Sequence, residues 1–280
     1  MGVMEKILED YVNAVEGKDI DGVPISVLTP EIYSKGKLPP EPGDVYEIPT
    51  RTLPIYLLVI KTDDHFSDVV PINSLVELAS KRDFLLSFPH PERDVWMAEL
   101  DLLFTIPNYI LAQAGYAGSL GEDIHLIKEI LAGENKIPEG RRGFGYKEVQ
   151  KLFKKIESER IKPLVEETFK VVMNVEVPTI VLLPHVRSIL ESEGKLRFAA
   201  SAESRIISNR YGDVLFNQEK SEITIVFKDE FKGKEGVVSL ETQKKGKVVL
   251  YYGILQTLVI QGISPEIFRS MEFLHVETVE

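Results

Sequence analysis

The sequence predicts an α+β protein: an N-terminal β-barrel, a helical middle segment and a C-terminal antiparallel β-sandwich. Three observations carry this. Between Asp44 and Leu100, short runs rich in β-branched and aromatic residues follow one another, separated by Pro, Asp and Ser clusters. From Tyr146 to Val172, apolar residues recur at helical spacing. After Gly194 the pattern turns to period two, punctuated by Lys232-Gly233-Lys234 and Lys244-Lys245-Gly246. The predicted divisions are 1–39 (helix and linker), 40–118 (barrel), 119–193 (helical connector) and 194–280 (sandwich and tail).

Taken in order, Met4, Ile7, Leu8, Tyr11, Val12 and Val15 give one apolar helical face, and Gly17 is its stop. Asp21 to Gly43 holds five prolines and little periodicity, so it reads as a connector. Strands are predicted at Asp44–Ile48, Ile55–Lys61, Asp68–Ile72, Phe84–Phe88 and Val95–Leu100. A helix entered at Thr105-Ile106-Pro107 is expected over Phe104–Ala112, closing the barrel. The glycines of 115–121 read as a hinge or cap, and Ile124–Leu131 as a helix ended by Gly133. Val149, Leu152, Phe153 and Ile156, then Ile161, Leu164, Val165, Phe169 and Val172, predict the longest helical segment. Pro163 should kink it or divide it into two helices. Val177–Leu183 reads as a strand and His185–Ser192 as a short helical turn. The sandwich strands are expected at Leu196–Ser201, Val214–Phe216, Glu222–Lys228, Gly236–Glu241, Lys247–Tyr252 and Leu255–Gln261. Ile223, Ile225 and Phe227 should share one face of theirs.

At 280 residues and 44% hydrophobic, the chain fills real cores without covalent staples. It has no Cys, which excludes disulfides, thiolate metal sites and thiol nucleophiles and points to a cytoplasmic protein. No run is apolar enough to cross a bilayer, and Met1-Gly2-Val3-Met4-Glu5-Lys6 opens an acidic amphipathic helix where a signal peptide would be basic and then apolar. Lys and Glu are plentiful and Gln is scarce, a balance expected of a thermophile. The net charge is −11, of which about −10 lies in the first 120 residues, whereas Lys195–Gly262 carries about +3. A domain gripping RNA through phosphates should be basic; the N-terminal half is the reverse.

From Pro42 onward the chain resembles the MazF/PemK family of toxin endoribonucleases. Pro42-Gly43-Asp44-Val45-Tyr46 looks like that family's opening strand and Leu57-Leu58-Val59-Ile60 like its second. Val69-Val70-Pro71-Ile72-Asn73-Ser74 is similar to its third. Val95 to Leu100, with Thr105-Ile106 and Ile110-Leu111, resembles its last strand, turn and closing helix. The similarity covers residues 40–112 and implies an SH3-like barrel with a helix packed on it. Family members cut RNA, without a metal, using an Arg just before the second strand and a Thr or Ser after the third. The Arg stabilises charge developing on the phosphorus centre, and the hydroxyl positions the phosphate. Here both positions depart: Leu53-Pro54, or Ile55-Tyr56 without a gap, stands where the family has Arg-Pro, and Asn73 stands at the Thr position. Arg51 and Ser74, close by, are the substitutes to test, so Arg51, Asn73 and Ser74 are the candidate catalytic residues.

Elsewhere the signals have ordinary readings. His65, His90, His125, His185 and His275 show no metal-ligand spacing. Asp63-Asp64-His65 with Asp68 reads as a solvated loop before it reads as a cation site. Arg141-Arg142-Gly143-Phe144-Gly145 is either a polar helix entry or a nucleic-acid loop, with the entry preferred. Lys151, Lys154 and Lys155 beside Glu157 and Glu159 are expected on a solvent face. Glycines 115, 118 and 121 do not follow a predicted strand as a dinucleotide site requires. Trp96 is expected in the core. Tyr211, Tyr251 and Tyr252 do not distinguish a binding face from a packed one.

The leading expectation is a non-catalytic regulatory or protein-interaction protein, with a degenerate barrel, a protein partner and no cofactor or metal. The alternative is a toxin-type endoribonuclease using Arg51 with Ser74 or Asn73, and a variant of it has the helices and sandwich acting as a built-in antitoxin that occludes the barrel. A third reading gives the sandwich a carbohydrate or other small ligand. The resemblance also implies a homodimer.

Overall fold

The computed structural model describes residues 2–17, 37–50, 52–91, 93–145, 147–173, 179–197, 206–242 and 246–279. The architecture is α+β, and the chain divides into two compact units. The first comprises 1–29, 38–106 and 115–166; the second comprises 30–37, 107–114 and 167–280.

The first unit opens with α1 (Val3–Val15), which buries Leu8, Tyr11 and Ala14 and ends at Gly17, whose φ of +71° a side chain would disfavour. Seven strands form one strongly curled antiparallel sheet: β1 (Asp44–Ile48), β2 (Ile55–Thr62), β3 (Phe66–Asn73), β4 (Phe84–Ser87), β5 (Val95–Ala98), β6 (Phe104–Pro107) and β7 (Gly115–Ser119). The order is β4-β5-β3-β2-β1-β7, with β6 on β3. Strand alternation sends Val45, Tyr56, Leu58, Ile60, Val70, Ile72, Phe84, Leu86, Trp96 and Ala98 into the curl. There α3 (Asp123–Leu131) closes them with Ile124 and Ile127. Met97, on the opposite face of β5, joins Leu8, Tyr11, Leu78, Ala79 and Phe153 in a second cluster, which brings α1 and α4 (Glu148–Met173) onto the outside of the sheet.

Two local expectations are corrected here. Phe104–Pro107 is a strand paired with β3, not the first turn of a helix; it can extend because Pro107 disfavours a helical Ile106. The glycine-rich 115–119 segment is also a strand, paired with β1 through a bulge at Val45/Tyr46. Gly118 has φ +144°, and a Cβ there would lie 3.2 Å from the Phe88 ring, so composition that reads as flexible is required for close packing. Pro163 lies inside α4, which continues as one helix.

In the second unit, α2 (Asn108–Gln113) packs on β13 (Gly246–Ile254). Gln113 fixes it: its Nε2 donates to the Leu250 carbonyl (2.8 Å) and its Oε1 accepts from the Leu183 N–H (2.9 Å). One sheet has the order β8 (Thr179–Val181), β14 (Leu258–Gln261), β11 (Glu222–Phe227), β10 (Gly212–Asn217), β9 (Ile206–Ser208). Its β8–β14 pair is parallel, so the sheets of this unit are antiparallel apart from that strand. The other sheet runs β13, β12 (Glu235–Thr242), β15 (Leu274–Thr278). Ile223, Ile225 and Phe227 share a buried face of β11. Phe216 stacks on Phe268 of α6 (Pro265–Ser270), a helix capped by Ser264. The strand expected at Leu196–Ser201 is corrected in its first part: α5 (Pro184–Arg197) runs through Gly194 and Leu196, and residues 198–201 lie outside the described residues. No helix among the described residues is long and apolar enough to cross a membrane.

Candidate functional site

The end of the β2–β3 pair that the MazF/PemK resemblance singles out is occupied by the protein's own backbone and helices. Arg51 lies outside the described residues. Asn73 ends β3 and spends its side chain locally, Oδ1 accepting the Leu75 N–H at 2.9 Å in an Asx turn. Ser74 follows it; its carbonyl accepts from Arg93 Nη1 at 3.1 Å, and the same nitrogen pairs with Glu77 at 2.9 Å. The structure therefore keeps Asn73 and Ser74 adjacent at the end of β3, with the side chain of Asn73 and the backbone of Ser74 engaged in holding the following turn.

Opposite them, Leu53 and Pro54 form the turn into β2. Arg160 of α4 reaches across, its Nη2 donating to the Leu53 carbonyl at 2.7 Å and to the Pro54 carbonyl at 3.0 Å. Thr52 Oγ1 donates to the Val15 carbonyl at the end of α1 (3.1 Å). Arg160 is itself held by Glu157 (2.9 Å) and by the Tyr11 hydroxyl, which also donates to Glu157. Burial pushes the Tyr11 phenol up, and Glu157 adds to the shift. Burial opposes the charge on Arg160, but Glu157 and Tyr11 outweigh it and hold the guanidinium more basic than usual.

Behind this pair lies a buried ion cluster. Lys154, expected on a solvent face, has a side chain only 7% exposed; its Nζ lies 2.5 Å from Asp83 Oδ1, 2.9 Å from Glu99 Oε2 and 2.9 Å from Asp101 Oδ1. Gln150, one turn earlier, donates to the Ala79 carbonyl at 2.6 Å. One ammonium thus answers three carboxylates. Burial lifts the Glu99 carboxyl well above the ordinary range; Lys154 pulls the other way, and Glu157 and Asp83 repel it further. Burial also lifts Asp83 against the pull of Lys154. For Lys154, burial works against the charge, but Glu99, Asp83 and Asp101 prevail and raise it. The face of α4 bearing Gln150, Lys154, Glu157 and Arg160 is a polar seam packed to the sheet, and its i, i+3, i+4 spacing was visible in the sequence. What the sequence lacked was the sign that its partners, Asp83, Glu99 and Asp101, are folded under it.

Other singled-out residues have settled places. Asp63 Oδ1 accepts from the His65 and Phe66 N–H groups (2.9 and 2.7 Å); these bonds outweigh burial and lower its carboxyl. Asp68 accepts from Thr105 Oγ1 at 2.6 Å. No group of three or more His, Asp or Glu among the described residues is placed to hold a metal ion. Trp96 is 1% exposed and donates its indole N–H to the Arg93 carbonyl at 2.9 Å. Arg141 pairs with Asp123 (2.7 Å) and donates to the Leu85 carbonyl (3.1 Å), while Gly143 lies so close to Ala79 that a Cβ would fall 2.2 Å from its carbonyl oxygen. Phe144, next in that loop, is 85% exposed. In the second unit Tyr251 and Tyr252 are buried, with their hydroxyls on the Ile254 carbonyl and Glu235. Tyr211 is buried against His275, 64 residues away in sequence.

No protein-family model matches the chain, and no curated protein matches it.

Proposed function

We propose that this is a non-catalytic regulatory or protein-interaction protein, built on a barrel of the MazF/PemK type whose reaction face has been given over to packing. The observation that carries the reading is Arg160: it bonds the Leu53 and Pro54 carbonyls, where the resemblance expects a catalytic Arg, from a helix packed over that turn. The Asn73 side chain closes a turn instead of presenting a hydroxyl to a phosphate. The acidity of the first 120 residues adds repulsion of RNA. Phe144 suits a protein partner, since a large exposed aromatic on a loop anchored by Arg141 and Gly143 binds without first being ordered. The absence of Cys and the Lys- and Glu-rich composition fit a cytoplasmic, heat-stable setting, and the resemblance adds a homodimer.

The test is RNA cleavage by the full chain, assayed with mixed-sequence RNA and chelator present. We expect none. Cleavage that is lost in the Arg51→Ala and Ser74→Ala variants would establish the endoribonuclease instead. One observation favours a latent form of that second reading: the cover over Leu53 and Pro54 is supplied by the protein's own α1 and α4. The double variant Tyr11→Phe, Arg160→Ala loosens that cover, so cleavage by it alone would identify a nuclease restrained by its helices.

A further inference from the structure

We propose that the loop carrying Phe144, the turn at Lys81 and Arg82 and the first turns of α4 form a docking surface for an acidic protein segment that bears an apolar anchor residue. This partner chemistry rests on the protein-interaction role proposed above and makes it specific.

Three pieces of the first unit build the surface. The Asp83 N–H donates to the Ser80 carbonyl at 3.0 Å, so residues 80–83 form a tight turn with Lys81 and Arg82 at its tip. The Ser80 N–H donates back to Asp83 Oδ2 at 2.7 Å and the Arg82 N–H to Ser80 Oγ at 3.2 Å, which fixes the turn. The Phe144 loop lies against it: the Gly143 N–H donates to the Ser80 carbonyl at 3.1 Å, and Arg142 pairs by its backbone with Phe84 of β4. Helix α4 lies against it too, with Gln150 on the Ala79 carbonyl (2.6 Å) and Lys154 on Asp83 (2.5 Å). At about 100° per residue, Lys151 and Lys155 are the next positions round α4 from Lys154, on the side that meets Asp83, and Leu152 follows them. Arg160 and its contacts with Leu53 and Pro54 lie on the other side of the helix.

The charge here runs against that of the surroundings. Lys81, Arg82, Lys147, Lys151 and Lys155 are exposed, and Arg142 is half-buried. Glu139 answers Arg142 (2.7 Å) and Glu148 answers Lys151 (2.5 Å). Lys81, Arg82, Lys147 and Lys155 have no carboxylate partner among the described residues. The carboxylates beneath, Asp83 and Glu157, are buried and engaged by Lys154 and Arg160. A surplus of positive charge therefore stands in a chain of net charge −11, whose first 120 residues carry about −10.

Apolar area accompanies the charge. Phe144 is 85% exposed and Leu152 is 54% exposed. Large apolar side chains left in water among unpaired cations match a segment that brings carboxylates and an apolar side chain together. The loop is already ordered by Arg141, on Asp123 and the Leu85 carbonyl, and by Gly143, so little conformational freedom is lost when Phe144 is covered. RNA fits less well: its phosphates continue past the patch onto the acidic remainder of the unit, whereas a short acidic segment ends with the patch.

The full chain is titrated into a fluorescein-labelled peptide of Asp and Glu around a central Leu-Phe pair, followed by anisotropy. We expect saturable binding with Kd of about 10 μM, weakened about fivefold or more between about 50 and about 300 mM salt. Phe144→Ser should weaken it about tenfold, and so should the double variant Lys81→Gln, Arg82→Gln. Lys61→Gln, which removes an exposed cation of β2 outside the patch, should leave binding unchanged. Unchanged thermal melts confirm that the exposed substitutions leave the fold intact. A peptide with Ser-Ser in place of Leu-Phe, which alters nothing in the protein, should bind about tenfold more weakly. The proposal is overturned if the wild type shows no saturation, if Phe144→Ser and the Lys81, Arg82 double variant bind as tightly as the wild type, or if single-stranded RNA of the same length binds more tightly than the peptide. Absent peptide binding without RNA cleavage removes this surface and leaves the protein-interaction role standing; RNA cleavage removes that role whatever the peptide does.

Discussion

Replacing Lys154 with Met removes the one cation that, among the described residues, is paired with Asp83, Glu99 and Asp101, while keeping most of the side-chain volume. The Asp83 and Glu99 side chains have no solvent exposure, so neither charge can be relieved by water, whereas Asp101 is 26% exposed and recovers much of its loss. Breaking a buried ion pair from one side costs about 3–5 kcal/mol, and the two fully buried contacts place Lys154→Met in that range at pH 7. For a unit of this size the melting temperature should fall by about 10 °C. The pH dependence carries the diagnosis. Asp83 and Glu99 already have raised carboxyl pKa values in the folded protein, so the native state holds protons that the unfolded chain gives up, and stability falls as pH rises through that window. Without Lys154 both values climb further. The deficit should therefore be smallest near pH 4 and widen toward neutrality. Lys154 has the same sense in a higher window: its raised folded pKa gives stability that is complete below about pH 10.4 and is lost as pH climbs through the folded value. Chemical denaturation of wild type, Lys154→Met and the triple variant Asp83→Asn, Glu99→Gln, Lys154→Met between pH 4 and 9 measures the carboxyl window. The triple variant should regain much of the loss at pH 7. A Lys154→Met deficit below about 1 kcal/mol, or one independent of pH, would refute the buried-cluster argument.

Three further outcomes are expected. Gly143→Ala should destabilise the first unit by about 2 kcal/mol or more in thermal denaturation, because the new methyl would lie 2.2 Å from the Ala79 carbonyl oxygen. Gln113→Ala removes the acceptor of the Leu183 N–H and the donor to the Leu250 carbonyl, and should cost about 2 kcal/mol, measurable as a shifted denaturant midpoint with unchanged slope. Burial lowers the folded pKa of His185 against the Gln113 carbonyl, so its contribution is present above about pH 6.5 and is lost as pH falls from there through the lower folded value; His185→Gln should flatten that part of the stability profile.

The sequence by itself determined the α+β class and the approximate places of most strands and helices, because those depend on local periodicity: β2, β11 and α4 can be read from alternation and helical spacing alone. It also named the departures from the resemblance at Leu53-Pro54 and Asn73. It failed where a residue's meaning is set by something distant. The glycines of β7 read as a hinge until Phe88 and β1 are beside them. Leu196 looked like the start of a strand until α5 ran through it. Lys154 looked like one of several surface lysines until Asp83, Glu99 and Asp101, more than fifty residues earlier, were folded against it. Tyr211 left binding and packing undistinguished until His275 closed on it from another sheet. Charge and hydrogen-bond partnership act through space and leave no period in the chain, so only the tertiary structure decided which polar residues are buried and which cover the end of β2 and β3.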